Sequence, residues 1–118
     1  MAAKVLVVDD DRLICRLLAD FFEDEGYDVR CAGDGLAALA EVERDLPDLV
    51  VTDLMMPRLD GAGLVARLVE LGSGVPVIVM SAAHSRGAGV PATCFVEKPF
   101  DFDDLVDVVD RILSRSAS

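Results

Sequence analysis

The sequence predicts an α/β domain built on a doubly wound, five-stranded parallel sheet. Three observations carry that prediction. Short apolar, β-branched runs alternate with amphipathic helical stretches along the whole chain. The runs lack the every-second-residue polarity of a sheet with one wet face, so helices must cover both faces. With 118 residues, 53% of them hydrophobic and 28% charged, the chain can bury one core and is too short for two.

The elements follow in order. "KVLVV" (4–8) reads as a buried strand. "DDDRLICRLLADFFEDEG" carries Leu13, Leu17 and Phe21 at four-residue spacing, with Ile14, Leu18 and Phe22 beside them, and Gly26 stops that helix. "YDVRCA" (27–32) is the second strand, and Asp34 is placed to cap a helix running through Leu36, Leu39, Ala40 and Glu43. Pro47 breaks that helix and "DLVVT" (48–52) begins the third strand. A loop over 54–61 leads to a helix with Leu64, Leu68 and Leu71 that ends at Gly72, with Asp60 as its cap. "VPVIVMS" (75–81) and "TCFVE" (93–97) are strands four and five. "DFDDLVDVVDRILSR" closes the chain as a helix with Leu105, Val109 and Ile112 on one face, and "SRSAS" (114–118) is expected to be a disordered tail behind a domain of residues 1–113.

Composition removes several classes of function. A net charge of −11 repels nucleic acid and anionic lipid, so direct nucleic-acid binding is not expected. No apolar stretch reaches the roughly 18 residues of a membrane span, and "MAAKVLVV" has no signal-peptide layout, so a cytoplasmic location is expected. Cys15, Cys31 and Cys94 stand in no metal or redox spacing and read as reduced, mostly buried thiols.

In parallel sheets of this kind, ligands bind beyond the carboxyl ends of the strands. Strand one ends in Asp9-Asp10-Asp11, strand three in Asp53, strand four in Ser81 and strand five in Lys98-Pro99-Phe100, whereas strand two ends in the bland Ala32-Gly33. Acids held a few ångströms apart drive one another towards protonation unless a cation sits among them, and Mg²⁺ suits hard oxygen ligands. With a lysine and a hydroxyl beside them, the group suits a phosphoryl pocket in which one carboxylate attacks phosphorus. Each residue alone has an ordinary explanation. Asp10 or Asp11 would serve as an N-cap, Ser81 as a loop residue, Lys98 as a surface charge, and Asp53 as an acceptor for loop amides. Five such accidents on one sheet edge are a poor account of the set.

"VLVVDDD" (5–11), "DLVVTDLMMPRLDG" (48–61), "VPVIVMSA" (75–82) and "FVEKPF" (95–100) together resemble the receiver domain of two-component response regulators, over nearly the whole chain. The resemblance implies the flavodoxin-like or CheY-like strand order 2-1-3-4-5 and a CheY-like single-domain receiver. It makes Asp53 the phospho-acceptor, charged by a histidine kinase, a histidine phosphotransfer protein or an acyl phosphate. It makes Asp9 and Asp10 the acid pair for Mg²⁺, with Asp53 and the backbone carbonyl of Met55 completing the metal shell, Pro57 and Gly61 shaping that loop, and Ser81 and Lys98 binding phosphoryl oxygens. It also implies a cis Lys98–Pro99 peptide, which proline permits, and a kinase-selecting role for the exposed side of the first helix, around Arg12, Cys15 and Arg16.

In this family the strand-four hydroxyl and a strand-five aromatic move together on phosphorylation, and Ser81 and Phe95 hold those positions. Phe95 reads equally as a plain core aromatic. The departure from the family lies in "AAHSRGAGVPATCFVE", which is short and contains Gly87, Gly89 and Pro91. Glycine and proline disfavour helix interiors, so the helix between strands four and five is expected to be absent or a single turn near Ala82–Arg86. Two other functions compete. One is a receiver that binds partners without phosphorylation through its rebuilt output face, and the intact five-residue set opposes it. The other is a true phosphatase, which wants an acid two residues beyond the nucleophile where Met55 stands.

Overall fold

The computed structural model describes residues 2–56, 58–82 and 92–116. Among them are five strands and four helices: β1 (Lys4–Val8), α1 (Arg12–Asp24), β2 (Asp28–Ala32), α2 (Gly35–Arg44), β3 (Leu49–Asp53), α3 (Gly61–Glu70), β4 (Val77–Ala82), β5 (Cys94–Lys98) and α4 (Phe102–Ser116). The strands form one parallel sheet in the order β2-β1-β3-β4-β5, so the chain reverses its direction of travel across the sheet between β1 and β3. The expected reduction of the helix after strand four falls on 83–91, outside the described residues, as does Pro57. The helical backbone of α4 runs to Ser116, into the segment expected as a tail.

Alternate residues of the central strands feed two separate cores. Val5, Val7, Leu49, Val51, Ile78 and Met80 face α1 and α4, where Leu18, Phe22, Leu105 and Val109 meet them. Leu6, Val8, Val50, Val77 and Val79 face α2 and α3, where Ala38, Val42, Leu64 and Leu68 meet them. Large side chains such as Phe22 and Leu18 are completely buried, each worth about 1.5–3 kcal/mol of hydrophobic stabilisation. No helix among the described residues is long and apolar enough to cross a membrane.

The structure corrects the expected helix faces. In α1 the buried stripe is Cys15, Leu18 and Phe22, while Leu13 is 63% exposed and Phe21 is largely at the surface. Cys15 therefore points inward and cannot belong to a kinase-selecting outer surface. In α2 the small residues Gly35 and Ala38 face in with Val42, and Leu36 is exposed. Leu71 is the exposed C-cap of α3 and not part of its apolar face. Of the three free thiols only Cys15 is buried; Cys31 is exposed on the edge strand β2 and Cys94 is half-buried. On β5, the opposite edge, Phe95 is exposed, which removes the plain core reading.

Candidate functional site

The parallel sheet delivers the carboxyl ends of its strands to one rim. β1 hands its chain to Asp9, whose N–H donates to the Ala32 carbonyl at 3.1 Å, extending the β1–β2 ladder by one residue. α1 then starts at once, with Asp11 as N-cap accepting from the amides of Leu13 and Ile14. The order D-D-D thus divides into two exposed acids, one of them structural, and one buried acid.

Asp9, Asp10 and Asp53 each bring a carboxylate oxygen within 4.8 Å of the others. Lys98 reaches in from β5, with Nζ 3.3 Å from Asp53 Oδ2 and 3.9 Å from Asp9 Oδ2. Two like charges about 4 Å apart repel by about 4 kcal/mol at an effective dielectric of about 20. One ammonium against three carboxylates leaves two negative charges uncompensated among these four groups. Asp9 is only 2% exposed. Its Oδ1 accepts from the Asp11 amide at 2.9 Å, but its buried Oδ2 has no hydrogen-bond donor. Burial raises the Asp9 pKa above the ordinary carboxylate range; the Asp11 amide pulls it down, and the Asp53 charge adds to the rise. An orphaned buried oxygen, two surplus charges and an all-oxygen donor set fit a divalent hard cation.

β3 ends at Asp53, and the backbone beyond it is firmly held. The Leu54 amide donates to Met80 at 2.9 Å, and the Gly61 amide donates to the Leu54 carbonyl at 2.9 Å. The fully buried Thr52 hydroxyl donates to the Asp53 carbonyl at 2.9 Å. A Cβ on Gly61 would lie 2.4 Å from the Asp53 carbonyl oxygen and 2.9 Å from Leu54 Cα, so only glycine lets α3 start this close to Asp53. Asp60 caps α3 through the Gly63 amide, as the sequence indicated. Ser81 is buried at the end of β4, next to Met80, the register partner of Asp53. The Lys98–Pro99 peptide is cis, as expected.

The end of β2 does more than the capping that the sequence indicates for Asp34. Asp34 caps α2 through the Ala37 amide and also pairs with Arg58, a residue held at φ +68° in the loop after Asp53. The Ala37 amide first and Arg58 second hold the Asp34 pKa below its ordinary value. Gly35 donates its amide to the Leu59 carbonyl at 3.1 Å, where an added Cβ would lie 2.2 Å from that oxygen. The loop carrying Met55 is therefore pinned from β2–α2 as well as from α3. The available signal was the Asp-Gly pair at 34–35, an N-cap followed by a residue with no side chain to obstruct a neighbouring loop.

Comparison with known proteins gives a consistent result. The family model for the response regulator receiver domain matches residues 5–110. The response regulator MprA of Mycobacterium leprae is 38% identical over 118 residues, covering 96% of this chain and 52% of that protein. The chain spans about half the length of the curated relatives it matches. Among solved structures, a Francisella response regulator receiver domain superposes with a TM-score of 0.90 at 35% identity, covering 97% of this chain and 98% of that one. The receiver domain of NtrX from Brucella abortus gives a TM-score of 0.85 at 35% identity, covering 93% and 98%. Vibrio cholerae CheY4 gives 0.85 at 28% identity, covering 94% and 98%.

Proposed function

The chain belongs to the response regulator receiver domains, and from that membership we propose that it accepts a phosphoryl group on Asp53 and so switches partner binding in two-component signalling. The observation that carries the reading is the Lys98 ammonium lodged between Asp53 and Asp9 at 3.3 and 3.9 Å, beside a buried Asp9 oxygen with no donor. A phosphoryl group arriving at Asp53 brings oxygens that a lysine and a cation would neutralise.

Asp9, Asp10, Asp53 and the Met55 carbonyl would hold Mg²⁺. Bound there, Mg²⁺ would offset the negative charge of the acids and of the phosphoryl oxygens. Asp53 is the nucleophile, since it combines partial exposure with a fixed backbone. Its carboxylate oxygen forms a bond to phosphorus as the bond to the donor breaks, the donor being a phosphohistidine of a histidine kinase or phosphotransfer protein, or an acyl phosphate. Lys98 and Ser81 bind the phosphoryl oxygens. Movement of Ser81 towards that group would free the space into which exposed Phe95 turns, a packing equilibrium biased by one charged group. The domain is a phosphotransfer acceptor that hydrolyses its own phosphate slowly, and not a turnover enzyme.

The test is intact-protein mass after incubation with acetyl phosphate, with Mg²⁺ or with chelator. One phosphoryl group should be gained only with Mg²⁺, and Asp53→Asn should gain none. Labelling that persists in the variant moves the acceptor elsewhere. No labelling of the native chain favours the phosphorylation-independent binding module.

A further inference from the structure

Outside the acid pocket, two thiols meet across the α1–β2 contact. Cys31 points from the edge strand β2 towards α1, with its Sγ 3.5 Å from the Cys15 carbonyl oxygen. The Cys15 Sγ lies 3.4 Å from the Asp9 carbonyl oxygen. Both cysteines line an open cleft of about 490 Å³ that also contains Asp9, Arg12, Arg16 and Gly33. Cys31 is exposed and Cys15 buried behind it. The pair is invisible in the sequence, where the two residues stand in no redox spacing.

The geometry points to a dithiol that a low-molecular-weight disulfide converts to a Cys15–Cys31 bridge beside the acid pocket. Cys31 is the residue such a reagent meets first, because it is exposed and Cys15 is buried behind it, and the attacking species is its thiolate. Cys31 loses its proton and its sulfur attacks one sulfur of the small disulfide; that S–S bond breaks and one small thiol leaves with the proton. Cys15 then attacks the mixed disulfide at the Cys31 sulfur, its proton leaving with the second small thiol. The protein gives up two electrons and two protons, and the small disulfide takes both. The Cys31 sulfur already lies 3.5 Å from the Cys15 backbone oxygen, so the two cysteines meet across one helix–strand contact.

The experiment incubates the full chain with oxidised glutathione, in chelator and without any phosphodonor, so that its outcome is independent of the phosphoryl reading. The chain is then denatured, alkylated and weighed. Three alkylatable thiols should fall to one, peptide mapping should show Cys15 joined to Cys31, and dithiothreitol should restore three. Cys94→Ser should fall from two to none, and Cys15→Ala should stop at a glutathione adduct on Cys31. The proposal is overturned if all three thiols survive, if the native chain stops at the Cys31 adduct with Cys15 still alkylatable, or if the bridge involves Cys94 or a second chain.

Discussion

At the scale of single residues, Asp9 holds a carboxylate in a buried position that opposes its charge. Because burial raises its folded pKa, the folded chain holds the Asp9 proton more tightly than the unfolded chain does. The stability this contributes is complete below the ordinary carboxylate range, about pH 4, and is lost as pH rises through the raised folded value. Denaturant titrations in chelator should therefore show metal-free stability falling over that window. Asp9→Asn should remove this contribution and leave the neutral-pH protein more stable; an unchanged pH profile in the variant would show that Asp9 ionises without penalty. Asp34 contributes with the opposite sign, because its depressed pKa lends stability that is lost as the solution is acidified. The acids were legible in the sequence because each follows a strand. Their division of labour was not, since nothing in "DDD" says that Asp11 caps a helix while Asp9 is buried.

At the scale of elements, the loop from Asp53 to Gly61 is positioned by close backbone approach more than by side chains. Gly61→Ala places a methyl 2.4 Å from the Asp53 carbonyl oxygen, a contact that must be relieved by shifting either β3 or α3. We expect a loss of roughly 1–3 kcal/mol, read as a lower urea midpoint at unchanged slope, and slower acetyl phosphate labelling because Asp53, the proposed acceptor, moves. An alanine variant as stable as the native chain would show that α3 can withdraw freely. Strand positions and the caps Asp34 and Asp60 were legible, since turn chemistry and apolar runs are local signals. The phases of α1 and α2 were not. α1 is apolar over much of its circumference, and Phe21 finds a partial partner in Phe102, centroids 5.1 Å apart, that only the folded chain supplies. α2 turns its small residues inward because the loop at Leu59 approaches Gly35, a tertiary demand that periodicity does not register.

At the scale of the molecule, surplus negative charge at one rim couples cation binding to global stability. A ligand that binds only the folded state at one hundred times its Kd adds about 2.7 kcal/mol, worth roughly 10 °C in a domain of this size. Millimolar Mg²⁺ should raise the melting temperature by several degrees, and Asp9→Asn should lose most of that rise; no shift in the native chain would count against the acid-pocket assignment. The strand order was legible as a whole because four strand-end motifs occur in sequence, and the structure has that order. The same topology has a consequence for the chain as it is made. Asp9 and Asp53 are synthesised early, and Lys98, the cation that sits between them, belongs to the last strand. Until β5 docks on β4, the acids face one another with that counter-charge missing, so the rim gains its full set of charges only after β5 has been made.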